Sequence, residues 1–182
     1  MKQAHFPKLT FAVIAIFVAL LTLHGAHAQA SPAMTNQRLG ELINNLDKNA
    51  QGRPGYWSLT VENVTVEVVT DERADRMRIV SPILKTQTLS KEALYRLMQA
   101  NFDTVLDARY AIANGILWST YIHPLGSLDD EQFLVGLGQT VNAVITYGSS
   151  YSSGLLSYQG GDSQSLLRRE LIERLKKQGQ AL

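Results

Sequence analysis

The spacing of apolar positions changes period along the chain, and each change marks an element. Thr35 or Asn36 can cap a helix, after which Leu39, Leu42, Ile43 and Leu46 recur at three- and four-residue steps as a one-sided stripe. Asn49 to Gly55 contains two glycines and a proline, so neither helix nor strand is expected to run through it. From Tyr56 the period becomes two. Trp57, Leu59 and Val61 alternate with polar residues, and Val64, Val66 and Val68 do so with opposite parity. A two-residue turn at Glu62-Asn63 accounts for the change. It pairs Val61 with Val64, Leu59 with Val66 and Trp57 with Val68, all on one face. After the charged loop Asp71 to Asp75, Met77 and Ile79 mark a third antiparallel strand that Pro82 is expected to close.

Ser90 is a cap for a helix from Lys91 to about Asn101, with Ala93, Leu94, Leu97 and Met98 as its stripe. Asn114-Gly115 then joins Ala108–Ala113 to Ile116–Ile122 in a hairpin, since both turn residues suit positive φ. That turn sets Ala113 against Ile116, Ala111 against Trp118 and Arg109 against Thr120. Tyr110, Ile112, Leu117 and Tyr121 fall on the opposite face. Both faces are substantially apolar, so the hairpin is expected to be covered on two sides, by the core and by a partner.

Ser127, with Asp130 three residues on, resembles a capping box for a long helix carrying Phe133, Leu134, Leu137, Val141, Val144 and Ile145 as far as Tyr147. Residues 148–162 have the composition of a Gly/Ser-rich linker. Ser163 is expected to cap a final amphipathic helix, residues 163–182, with Leu167, Leu171, Ile172 and Leu175 on one side. The order is helix, three-strand meander, helix, hairpin and long helix. It describes an α+β domain over residues 35–147, an antiparallel sheet of about five strands with helices mostly on one face. Of the two roles open to the terminal helix, docking back on the domain ranks above engaging a partner or membrane, because Glu170 and Glu173 dilute its basic charge.

The start of the chain follows another logic. Lys2 and Lys8 precede an apolar run from Leu9 to Leu23 and then Ala26-His27-Ala28, the arrangement of an export signal cleaved after residue 28. The run is short of the roughly 20 residues that span a bilayer, and no Cys follows it to carry a lipid. Residues 29–34 then form a mobile spacer, and the mature protein is expected to be periplasmic or secreted, soluble, with no integral membrane segment. The whole chain, 182 residues, has 17 Lys and Arg, 16 Asp and Glu, and a net charge of +1. Removing Lys2 and Lys8 leaves 15 against 16, a net charge of −1. Such a balance offers no footprint for nucleic acid.

Candidate chemistry is sparse. With no Cys, and His123 as the one histidine outside the signal, a zinc site would have to be almost all carboxylate. His123 precedes Pro124 at a strand end with no nucleophile identifiable beside it. The serines of 148–154 do not complete G-x-S-x-G, and no phosphate-binding glycine loop occurs. Asp71-Glu72-Asp75 reads as a solvated loop, and Asp129-Asp130-Glu131 as the acidic first turn that a helix dipole favours. Asn63-Val64-Thr65 fits the glycosylation triplet but falls inside the first hairpin. Trp57, Trp118, Tyr110 and Tyr121 are sheet residues that fill a core or line a seam or pocket. No catalytic, metal or cofactor residue emerges, and no cofactor is expected.

One local pattern reaches further. Leu94-x-x-Leu97-x-x-Ala100-Asn101-Phe102, Ala111 to Leu117 around Asn114-Gly115, His123-Pro124-Leu125-x-x-Leu128-Asp129, and Phe133 with Leu137 resemble the class I type III secretion chaperones, the Tir chaperone or CesT-like superfamily, and the related bacterial sensory transduction regulators. The resemblance covers about 110 residues, including the preceding helix and three strands. It implies a non-enzymatic module, usually a homodimer, that offers apolar grooves to an extended partner polypeptide. An export signal and an added terminal helix set this chain apart from such chaperones, which act in the cytoplasm. The partner-binding or dimer candidates are Tyr110, Ile112, Leu117, Trp118, Tyr121, Leu167, Leu171 and Leu175. The leading reading is an exported protein-binding module that holds or assembles a partner polypeptide. The alternative is a small-molecule or envelope-stress sensor of the same fold, with a hydrolase third. A pocket enclosing both Trp118 and Tyr121 favours the sensor, and an open apolar patch favours protein binding.

Overall fold

The computed structural model describes residues 33–103, 105–148 and 162–179. The export segment and most of the spacer and linker lie outside them. Thr35 opens α1 (Asn36–Leu46), its hydroxyl accepting from the Arg38 N–H at 3.2 Å. Leu39, Leu42 and Ile43 then turn inward together. Met34, assigned to the spacer by sequence, is already buried in the core.

The Gly/Pro stretch after α1 holds a strand that the sequence does not announce, β1 (Gln51–Arg53), paired with β2 (Tyr56–Val61) across Pro54-Gly55. Three exposed residues carry no alternation, which is why the pattern misses it. Gly52 makes the pairing possible: a Cβ there would lie 2.3 Å from the Tyr56 carbonyl oxygen and 2.7 Å from the Trp57 Cα. Glu62 and Asn63, both at positive φ, turn β2 into β3 (Val64–Asp71) in the expected register, Val61 to Val64, Leu59 to Val66 and Trp57 to Val68.

The third strand of the meander, β4 (Arg76–Lys85), runs through Pro82 instead of ending there. Pairing with β3 stops at Val80, while pairing with β6 (Ile116–His123) continues to Lys85 with an irregularity between Pro82 and Leu84. Proline therefore sits where the ladder is one-sided, a position that tolerates a missing N–H. A 3-10 turn at Thr86–Thr88 leads to α2 (Lys91–Asp103), capped by Ser90. β5 (Arg109–Ala113) and β6 form the Asn114-Gly115 hairpin in the expected register. α3 (Asp130–Ile145) begins two residues later than the Ser127 pattern suggests. Its capping box is Asp129 with Gln132, each side chain bonded to the other's N–H at 2.7 and 2.9 Å. α4 (Asp162–Gly179) follows.

The six strands lie in the order β1-β2-β3-β4-β6-β5, all antiparallel, one more than expected. The helices cover one face. A larger cluster joins α1, α3 and α4 to Trp57, Leu59, Val66, Val68, Met77, Ile79 and Tyr121. A smaller one joins Leu97 and Ala100 of α2 to Tyr110, Leu117 and Ala143. The terminal helix is docked, with Leu171 and Leu175 buried in the larger cluster. Gly138 of α3 admits it, since a Cβ there would meet Ile172 Cγ1 at 2.6 Å. Arg174–Glu62 at 2.7 Å and Lys176–Glu131 at 2.6 Å tie its polar flanks to β2's turn and to α3.

Candidate functional site

Three surfaces remain after the core is accounted for. The first is the outer side of α2. Leu97 and Ala100 face inward, with Leu94 partly buried beside them, whereas Tyr95 is 67% exposed, Met98 58%, Phe102 73% and, just beyond the helix, Leu106 52%. Steps of three and four residues put Tyr95, Met98 and Phe102 on one stripe, so α2 is apolar on two sides. Met98, grouped with the core stripe by sequence, belongs to this outer one.

The edge strand beside α2 is partly closed. Alternation in an antiparallel pair aims the N–H and C=O of Tyr110 and Ile112 away from β6. Asn101 answers both groups of Tyr110: its Oδ1 accepts the N–H at 2.7 Å and its Nδ2 donates to the carbonyl at 3.0 Å. The loop entering β5 is fixed by Gln139, itself buried on α3. Its Oε1 accepts the N–H groups of Asp107 at 2.9 Å and Ala108 at 3.0 Å, and its Nε2 donates to Asp107 Oδ2 at 3.1 Å. Arg109 donates to the carbonyls of Val105, Leu106 and Ala108.

The second surface is the uncovered sheet face. The hairpin expected to be covered on both sides is covered by helices on one. Tyr56, Val69, Arg78 and Ile122 form one cross-strand row on the open face; Thr60 pairs with Thr65, and Pro82, Trp118 and Ala111 form a shorter row. Tyr56, Val69 and Ile122 are exposed, and Trp118 is half-buried with its indole N–H donating to the Ala113 carbonyl at 3.1 Å.

The third is a groove of about 510 Å³ where the end of β6 meets the first turns of α3, lined by Asp107, Tyr121, Ile122, His123, Asp129, Glu131, Gln132 and Val135. Tyr121 lies against α3 at Gly136, where a Cβ would be 2.5 Å from its ring, and its ring stacks on His123 with centroids 6.1 Å apart. Burial, with the Asp107 and Asp129 charges, pushes its phenol above the ordinary value of 10. Among the described residues no group of three His, Cys, Asp or Glu side chains converges to hold a metal.

The sequence-derived candidates therefore fall in different places. Tyr110, Leu117, Tyr121, Leu171 and Leu175 are buried in the chain's own core, Tyr121 also lining the groove. Tyr110 also spends its hydroxyl on the Ala143 carbonyl at 2.9 Å. Ile112 is exposed at the edge strand and Trp118 half-exposed on the open face. The Leu167 side chain lies outside the described residues. Trp118 and Tyr121 occupy opposite faces of β6, so the pocket that favours a sensor is not formed by this pair. Tyr95, Phe102 and Leu106 were missed. Their signal was there, a second apolar stripe offset from the first, and Phe102 stood inside the quoted pattern.

No family model matches the chain, and comparison with curated proteins finds no match. Among the solved structures to which the chain is similar, two are of complexes. One is the HopA1-SchA chaperone-effector complex, at 9% identity and a TM-score of 0.46, with 62% of this chain and 94% of that one covered. The other is the ExsC-ExsE complex, at 16% identity and a TM-score of 0.48, with 62% and 89% covered.

Proposed function

We propose that this protein is an exported, non-enzymatic protein-binding module that pairs through α2 and holds an extended partner polypeptide on its open sheet face. The observation that carries the reading is the α2 stripe. Three large apolar side chains, Tyr95, Met98 and Phe102, each more than half exposed, stand on one line of the helix outside the core clusters, with exposed Leu106 just beyond it. Soluble monomers seldom present such a contiguous patch unless it serves an interface. A straight helical stripe is self-complementary about a two-fold axis, which makes a second copy its natural occupant. Self-association through α3 is disfavoured because Phe133, Leu134, Leu137 and Val141 are spent on the core. The apolar signal segment supports placement outside the cytoplasm.

The test combines sedimentation with a holding assay on a permanently unfolded polypeptide. The wild type should sediment as a dimer at micromolar concentration and delay aggregation of the unfolded chain. Met98→Glu with Phe102→Glu should give a folded monomer, and Ile122→Lys should weaken holding while leaving the dimer intact. A wild type that neither pairs nor holds overturns the proposal.

A further inference from the structure

The groove at the end of β6 gathers acceptor groups that the other described residues leave largely unused. Tyr121 is only 8% exposed, yet its hydroxyl has no hydrogen-bond partner among the described residues. Two exposed carboxylates line the same space without a cation among the described residues. There Asp107 accepts from the Gln139 amide and Asp129 from the Gln132 N–H, whereas Asp130 is paired with Arg38 and Glu131 with Lys176. His123 Nδ1 lies 2.7 Å from the Pro124 carbonyl oxygen, which makes Nδ1 the donor and leaves Nε2 as an acceptor. The groups lining the groove thus include two anions, a ring nitrogen lone pair and a phenol hydroxyl, a set in which acceptors outnumber donors.

We propose that this groove receives the guanidinium or ammonium group of an arginine or lysine carried by the partner polypeptide. The inference rests on the protein-binding reading and names a residue type that the partner must contain. Donors on such a group match Asp107, Asp129, the Tyr121 oxygen and His123 Nε2, and charge-assisted bonds to carboxylates are the strong ones. Val135 gives the methylene stem an apolar wall. Ile122 lies both on the groove's lining and in the open-face row with Tyr56, Val69 and Arg78, so a segment held on that face reaches the groove without a break. The volume, about 510 Å³, exceeds one guanidinium and suits a side chain with its flanking backbone.

The probes are an extended, capped octapeptide with one central arginine, the same peptide with glutamine there, and methylguanidinium alone, each titrated calorimetrically into the full chain. The arginine peptide should bind at least tenfold more tightly than the glutamine peptide and weaken as salt rises. Asp107→Asn with Asp129→Asn, which keeps a capping residue at 129, should abolish that preference. Tyr121→Phe, the loss of one oxygen, should reduce it several-fold and guards against misfolding of the double variant. Equal binding of the two peptides, or an undiminished preference in the double variant, overturns the inference. Methylguanidinium binding as tightly as the arginine peptide also overturns it, by assigning the groove to a free amine. If the wild type still holds unfolded polypeptide while the arginine preference is absent, only this inference fails. If holding is absent too, the protein-binding reading fails with it.

Discussion

Single side chains decide where this fold is vulnerable, and Gln139 is the clearest case. It is buried on α3 and serves two consecutive backbone N–H groups, at Asp107 and Ala108, that no strand ladder reaches. Gln139→Ala leaves both without an acceptor, and at about 1–3 kcal/mol for each buried unsatisfied group the loss should be roughly 2–4 kcal/mol. Urea unfolding measures it directly. A second prediction concerns Tyr121, whose phenol is raised above 10 in the folded chain by burial and by Asp107 and Asp129. Between 10 and the raised value the unfolded chain releases this proton and the folded chain keeps it, so stability is constant below that window and falls as pH rises through it. Tyr121→Phe should flatten the alkaline loss. An identical slope in both proteins would show that the ring ionises freely.

Among the elements, helix–helix contact depends on small residues. Gly138 lets α4 approach α3 until an added methyl would sit 2.6 Å from Ile172 Cγ1. Gly138→Ala should therefore lift α4 and cost roughly 1–3 kcal/mol by overpacking, despite alanine's better helix propensity. Faster backbone exchange confined to α4 is the measurement that separates lifting from a general loss. The elements themselves were largely legible. The first hairpin's register follows from the parity change at Glu62-Asn63 and the second's from the Asn114-Gly115 turn, because a two-residue turn fixes every pair beyond it. β1 was illegible because three exposed residues have no period, and Pro82 misled because its tolerance depends on where a neighbouring strand happens to stop. The binding surfaces were legible only in part. Periodicity finds an apolar stripe but does not say which of two stripes on α2 meets the core, so Met98 went to the wrong side. The groove joins Asp107, Tyr121 and Asp129 from three separate stretches, and no spacing rule connects them.

For the molecule as a whole, the docked terminal helix sets the balance between a complete core and an exposed one. Leu171 and Leu175 each contribute about 1.5–3 kcal/mol by burial, offset by the entropy of closing the segment between α3 and α4. A chain ending at Gly148 should stay folded with lowered stability and bind more of an apolar dye, through the surface uncovered beside Leu134 and Val141. Unchanged urea stability would exclude docking as drawn. Another consequence of scale lies in the Asn101 amide, bonded to both edge-facing groups of Tyr110. A sheet grows by adding strands to its ends, as a polymer grows by adding monomer. Here one terminus is a three-residue strand and the other is stoppered by a side chain that imitates the next strand's backbone. Copies crowded together thereby have fewer free backbone groups through which to stack laterally without end.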